Sequence, residues 1–273
     1  MSKTVNLYLA SGVSKGIGFW IVNFTDEVNI INYNCNKLLE CYRKELFGID
    51  GAVEVKKAIN STLDILSYES KLEKYKLEGR NVVSYCGDVS NSGDVGQAFN
   101  HFKGKFGEID ILVNCAGVDN TVLLEDMSLD VWSKMIDVHL TGTFLCTKQV
   151  ITGMKKSGWG RIINFSSQLA HKGAASMVHY CAAKAGIMGF TRALAYELSD
   201  SGVTVNCVNP GPIDTPLLRS IPQDWLDQKK SELPIKRFGH VSEVAPTVLL
   251  LASDDGGYFM GASMNMNGGD YMI

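Results

Sequence analysis

Val5-Asn6-Leu7-Tyr8-Leu9-Ala10-Ser11-Gly12-Val13-Ser14-Lys15-Gly16-Ile17-Gly18 opens the chain with an apolar run that passes directly into three glycines. Val5 to Leu9 reads as a strand. Gly12, Gly16 and Gly18 remove side chains where a backbone turning sharply comes close to a pyrophosphate. A helix is expected to follow, its free N–H groups meeting the phosphates. The spacing is Gly-x-x-x-Gly-x-Gly, not the commoner Gly-x-Gly-x-x-Gly fingerprint. Taken alone, it is equally the spacing of an ordinary glycine-rich strand-to-helix turn, so the rest of the chain has to decide.

Outward from this turn, short β-rich runs alternate with helix-length segments. Strands are expected at Val28 to Tyr33, Asn81 to Tyr85, Ile109 to Val113, Arg161 to Phe165, Val203 to Val208 and Ala262 to Met266. Helices are expected at Asp94 to Phe106, Asp130 to Lys155, Val178 to Leu198 and Ser242 to Leu251. The alternation predicts an α/β fold: one doubly wound, Rossmann-type parallel sheet of about seven strands with helices on both faces. A chain of 273 residues leaves one or two domains open by length. No repeat or Pro/Gly/Ser-rich linker divides it, so residues 1–273 are read as a single domain. The stretch 35–80 is too long for a simple crossover and reads as a helical insertion with nearly balanced charge.

Composition excludes several classes. With 26 Lys+Arg against 29 Asp+Glu, the formal net charge of −3 argues against a nucleic-acid binder. Apolar runs such as Thr247 to Ala252 fall far short of the roughly 20 residues of a membrane span. Met1-Ser2-Lys3-Thr4-Val5 lacks the apolar core of a signal peptide. The seven cysteines are scattered without a Cys-x-x-Cys pair, so no metal site is expected and a reducing, cytoplasmic setting is.

Three further motifs fall at expected C-terminal strand ends, the edge where open α/β sheets bind ligands. Gly87-Asp88-Val89 places a carboxylate able to accept from an adenine amino group, or alternatively to cap a helix. Asn114-Cys115-Ala116-Gly117 closes one strand, and Asn209-Pro210-Gly211-Pro212-Ile213-Asp214-Thr215 follows another, bringing backbone and a hydroxyl towards a nicotinamide. NAD binding usually needs an acidic residue about 20 positions after the glycines. Ile31 to Lys37 has none, while Lys15 lies within the turn. This favours NADP(H), with NAD(H) as the alternative.

Tyr180-Cys181-Ala182-Ala183-Lys184 puts a phenol and an ammonium one helical turn apart. A free phenol titrates near 10, and a neighbouring cation is expected to bring it towards neutral pH. Tyr33 and Lys37 share the spacing, but only Tyr180 has a serine, Ser167, 13 residues upstream at a strand end.

Together these residues resemble the short-chain dehydrogenase/reductase family, nearest its 3-oxoacyl-carrier-protein reductase branch. Phe106 to Asn114 and the closing Asn267-Gly268-Gly269 add to the likeness. The resemblance implies an enzyme that interconverts a ketone and a secondary alcohol by hydride transfer. Tyr180 is then the acid or base, Lys184 holds the nicotinamide ribose, and Ser167 hydrogen-bonds the substrate oxygen. Cofactor contacts are implied for Gly12, Ser14, Lys15, Gly16, Ile17, Gly18, Asp88, Val89, Asn114, Ala116, Gly117, Pro210, Gly211, Ile213 and Thr215. The chain departs from the family where His139 stands in place of a proton-relay asparagine. It departs again where Phe19-Trp20 follows the glycine turn, and where Gly158 and Ser201 replace basic carrier-protein docking residues.

The segment 216–238, with Leu217, Leu218, Ile221, Trp225 and Leu226, reads as a cover over a small-molecule substrate, although such residues equally pack a core. The resemblance also implies a homodimer or homotetramer formed by the helices from Asp130 and Val178. Two rival readings remain. One is an NAD(H)-dependent steroid or polyol dehydrogenase. The other is a dinucleotide-binding protein without catalysis, since fold alone does not establish function.

Overall fold

A computed structural model describes residues 5–11, 18–24, 81–219 and 221–273. The expected strand at Val28 to Tyr33, the insertion at 35–80 and the glycine turn from Gly12 to Ile17 lie outside the described residues. Seven strands form one sheet: β1 (Val5–Ser11), β2 (Gly18–Phe24), β3 (Asn81–Cys86), β4 (Ile111–Asn114), β5 (Gly160–Phe165), β6 (Val203–Pro210) and β7 (Ser263–Met266). Their order is β3-β2-β1-β4-β5-β6-β7. β1, β4, β5, β6 and β7 pair in parallel, whereas β2 is antiparallel to both β1 and β3.

That reversed strand corrects one expectation. Gly18 does not open a phosphate-binding helix; it starts β2, opposite Ser11 on one side and Cys86 on the other. The physical reason is local. Phe19-Trp20-Ile21-Val22 is aromatic and β-branched, a composition that favours a pleated strand over a helix start.

Elsewhere the expected elements are present. Helix α1 (Ser92–Phe106) begins where the Asn91 side chain accepts from the backbone N–H of Gly93 and Asp94, at 2.8 and 3.1 Å. The Asp130 to Lys155 expectation is met by α2 (Leu129–Ile136), a π turn (Asp137–Thr141) and α3 (Gly142–Ser157) in unbroken succession. Gly158 ends α3 at φ 68°, a left-handed position suited to glycine. Short α4 (Leu169–Lys172) precedes α5 (Val178–Leu198), which has the predicted boundaries. Beyond β6 come α6 (Pro216–Arg219), α7 (Gln223–Glu232) and α8 (Val241–Ala252).

Strand alternation sends successive side chains into two cores, one per face. Leu112, Ile162 and Val205 pack with Phe99 and Phe102 of α1, Val150 and Met154 of α3, and Leu198 of α5. Ile111, Val113, Ile163 and Val208 turn the other way, against Val244, Val248 and Leu251 of α8. Phe99 and Phe102 are fully buried, and truncating either to alanine should cost about 3–5 kcal/mol.

Candidate active site

The last residues of β4, β5 and β6 converge at one edge of the sheet. Asn114 and Asn164, aligned in register, are joined side chain to side chain at 2.8 Å. The pair continues to Thr147 of α3 at 3.2 Å and to Thr191 of α5 at 2.9 Å. This buried polar seam fixes the strand ends on which the site is built.

Just past β5, Ser166 and Ser167 point to different partners, as strand alternation predicts. Ser166 Oγ donates to the Lys184 carbonyl at 2.8 Å. Ser167 Oγ accepts from the Leu169 N–H at 3.1 Å, and the hydroxyl is near enough to Tyr180 to favour its phenolate. Lys184 lies one turn beyond Tyr180 on α5, only 5% exposed. Its Nζ donates to the Phe165 carbonyl at 2.7 Å and sits 5.6 Å from the Tyr180 ring centroid. Burial lowers the ammonium's pKa to about 8.

The phenol behaves differently from the expectation of a lowered pKa. Burial raises Tyr180 well above its ordinary value; the Ser167 hydroxyl works against this, while Asp119, Cys181 and Cys115 add to it. In the polypeptide alone, desolvation outweighs the favourable contact with Ser167. Tyr180 is therefore a neutral phenol, poised as a proton donor.

His139 occupies the π turn and is 2% exposed. Its ring meets the Tyr180 ring edge-on at 5.3 Å and 84°. Burial takes the imidazole pKa down to about 3, so it is neutral. Nε2 lies 2.8 Å from the Val118 carbonyl and 3.1 Å from its N–H, and its tautomer decides which bond forms. Gly117 has its glycine for a visible reason: a Cβ there would stand 2.6 Å from His139 Cε1.

The other expected cofactor contacts divide. Val89, Asn114 and Ala116 line a recess with Val138 and Thr143 at the strand ends. Gly211 donates to the Met266 carbonyl at 2.9 Å, and Pro210 accepts from the Gln168 N–H at 3.1 Å. Asp88 accepts from Ser90 N–H and Oγ, at 2.8 and 2.6 Å, and pairs with Lys134 at 3.2 Å. It thus orders its own turn, one turn before the Asn91 cap. Ile213 bridges to Gly239 across the base of segment 216–238. The Thr215 hydroxyl accepts from Leu218 N–H at 3.3 Å, capping α6.

These features fit the nicotinamide end of a dinucleotide. Lys184 carries three N–H donors on a buried ammonium, and Phe165 takes one. The residues expected at the pyrophosphate end, Gly12 to Ile17, lie outside the described residues. Among the described residues no group of three or more His, Cys, Asp or Glu is placed to hold a metal. No described helix is long and apolar enough to cross a membrane.

A family described as enoyl-(acyl carrier protein) reductase matches residues 61–270. The chain belongs to the short-chain dehydrogenase/reductase family. Acetoacetyl-CoA reductase of Cupriavidus necator is 41% identical over 204 residues, covering 75% of this chain and 83% of that protein. The 3-oxoacyl-[acyl-carrier-protein] reductase of Pseudomonas aeruginosa is 38% identical over 204 residues, with the same coverage of 75% and 83%. A crystallised candidate gluconate dehydrogenase from Agrobacterium tumefaciens superposes with a TM-score of 0.65 at 27% identity, covering 67% of this chain and 74% of its own. The short-chain dehydrogenase/reductase is thus an oxidoreductase of Rossmann-like fold, from a family that binds NAD(P) and acts on small molecules.

Sequence reasoning found Ser167, Tyr180, Lys184 and His139, and the structure brings all four together. It missed Asp119 and His179, which sit beside them. His179 is buried, its Nε2 2.6 Å from the Asn120 side-chain oxygen, and its Nδ1 is unpartnered. Asp119 also buries an unpartnered oxygen and lies within electrostatic reach of His179 and Tyr180.

Proposed function

We propose that this enzyme reduces the 3-oxo group of an acyl thioester with NADPH, giving the secondary alcohol. The observation that carries the reading is Lys184, buried one turn beyond Tyr180 with its Nζ 5.6 Å from the phenol ring, beside Ser167. The bound dinucleotide supplies the hydride from nicotinamide C4. Ser167 and Tyr180 hold the carbonyl oxygen, and the Tyr180 phenol passes its proton to that oxygen as negative charge develops. Lys184, charged below about pH 8, stabilises the phenolate left behind and binds the ribose hydroxyls. His139, neutral and against the Tyr180 ring, keeps the phenol in its rotamer and borders the path by which it regains a proton.

Both relatives are named for reducing oxoacyl thioesters, on CoA in one case and on acyl carrier protein in the other. Gly158 and Ser201, where basic docking residues are expected, favour the CoA form. Lys15 and the missing carboxylate at 31–37 favour NADPH. The proposed organisation is one catalytic domain over 1–273, with an insertion at 35–80 and a substrate cover at 216–238, in the cytoplasm. Exposed Leu129, Phe144 and Val178, on α2, α3 and α5, support a homodimer or homotetramer built on those helices.

The test is nicotinamide absorbance turnover on acetoacetyl-CoA, with NADPH and NADH side by side. Tyr180→Phe should bind NADPH yet lose turnover, and retained turnover in that variant would refute the mechanism. β2, standing where a phosphate-binding helix is expected, favours a second reading as a dinucleotide sensor. That reading predicts binding without turnover on any carbonyl.

A further inference from the structure

Asn267-Gly268-Gly269-Asp270 follows β7 and takes no part in the chemistry above. Gly268 and Gly269 adopt φ of 64° and 84°, left-handed values that turn the tail back on itself. A Cβ on Gly268 would lie 2.6 Å from Ile235 Cγ2, and one on Gly269 would lie 2.9 Å from Pro234 Cγ. The two glycines thus seat the tail flush against the chain leaving α7. Ile235 N–H donates to the Gly268 carbonyl there at 3.3 Å.

The turn delivers the Asp270 carboxylate, 7% exposed, to side chains from two other parts of the fold. Lys229 of α7 reaches Oδ1 at 2.7 Å, and Lys172 of α4 reaches the same oxygen at 2.9 Å. Gln168, the neighbour of Ser167, donates to Oδ2. His171 of α4 stacks on Tyr271 at 5.6 Å, adding a second tie between α4 and the tail. Burial raises the Asp270 pKa, but the hydrogen bonds from Lys229, Lys172 and Gln168 outweigh it and hold the carboxyl below its ordinary range.

We propose that Asp270 is a positioning residue that latches α7 to the Ser167 loop, so that the substrate cover and the catalytic serine keep one fixed geometry. The inference rests on reading 216–238 as that cover. Ser167 has its own tie at Leu169 N–H, so the latch governs where the acyl thioester lies more than whether the proton moves. Removing the carboxylate charge leaves the ammonium groups of Lys172 and Lys229 facing each other without the anion they share, Lys229 keeping only the looser Glu232 contact at 3.8 Å. α7 should then separate from α4.

The test uses the full chain and two readouts. In turnover of acetoacetyl-CoA, Asp270→Asn should raise KM about tenfold with kcat within about threefold, the size of a lost coupling between contacting groups. Asp270→Glu, which restores the charge, should recover part of the loss. Gln168→Leu and Lys229→Met alter residues joined through Asp270, so their effects should be non-additive in the parent chain and additive in Asp270→Asn. An unchanged KM in Asp270→Asn, or non-additivity that persists without the carboxylate, would overturn the proposal. Trypsin supplies the second readout, since α7 offers Lys230 and its release frees Lys229. Asp270→Asn should be cut several-fold faster in α7 while the thermal midpoint of the remaining fold moves little. Equal cutting rates would also overturn it. If no acyl thioester is turned over, the proposed function fails, while the trypsin comparison still decides the latch.

Discussion

Gly117→Ala tests the packing around Tyr180 at a single carbon atom. The new Cβ would sit 2.6 Å from His139 Cε1 and 3.3 Å from Nδ1, where ordinary contacts begin near 3.4 Å. About 0.8 Å of movement is therefore required at a ring that is 2% exposed. The ring has little room to yield. Nε2 is held against the Val118 backbone at 2.8 Å, and the ring edge meets Tyr180 at 5.3 Å. Overpacking of this kind costs about 1–3 kcal/mol. In a protein of this size each kcal/mol lowers Tm by about 2–4 °C. The displaced ring pushes on Tyr180, and misplacement by about 1 Å reduces turnover roughly a hundredfold. Gly117 carries no left-handed φ, so backbone strain adds nothing and steric conflict is the whole effect. Thermal melts and steady-state turnover of Gly117→Ala, His139→Ala and the double variant form a cycle. The methyl added by Gly117→Ala should fill part of the space left by His139→Ala, giving a coupling of about 1–3 kcal/mol. Additive effects on Tm, or a Gly117→Ala variant as stable and active as the parent, would refute the reasoning.

Further predictions concern charge. Lys184 is a buried ammonium whose folded pKa, about 8, lies below its unfolded value, so the unfolded chain binds more protons between about pH 8 and 10.5. That group's contribution to stability rises with pH across this window, and Lys184→Met should raise Tm at pH 7 while abolishing turnover. Asp119 raises the Tyr180 pKa, so Asp119→Asn should let the Tyr180 phenol titrate at lower pH in ultraviolet difference absorbance against Tyr180→Phe; an unmoved titration would contradict the coupling. The exposed Arg237–Glu243 pair, bonded twice at 2.7 Å, lowers the Glu243 pKa to about 2. Its contribution, small because both groups lie in water, is present above the unfolded carboxyl pKa and lost as pH falls towards 2. The Tm deficit of Arg237→Met should therefore narrow from pH 5 downwards.

Local signals made most of this fold legible. Val178–Leu198 could be bounded from its length and apolar spacing because no proline or strand-like run within it competed for the reading. The apolar runs of β4, β5 and β6 announced strands buried on both faces. β2 was misread because the glycine motif outweighed the β-rich run behind it, two local signals in conflict. Ser167, Tyr180 and Lys184 were legible because their chemistry follows helical and strand spacing. Asp270 was not, because its partners lie 41, 98 and 102 residues away and no local pattern records such pairings. The neutral phenol was hidden for another reason: desolvation depends on what covers a residue, not on its sequence neighbours.

The π turn at Asp137–Thr141 carries a consequence for how this helix tolerates change. The Gly142 N–H reaches back five residues to the Asp137 carbonyl, one residue more than an α-helix spans. The turn is thus a one-residue insertion absorbed within a helix. Deleting one residue there would restore regular α-helix and leave α2 and α3 facing as they do, because the wide turn takes up the extra residue by itself. Only the side chains within the turn would be re-aimed, and the imidazole of His139 would leave the phenol. A deletion that the fold tolerates would therefore still strip Tyr180 of the ring it packs against.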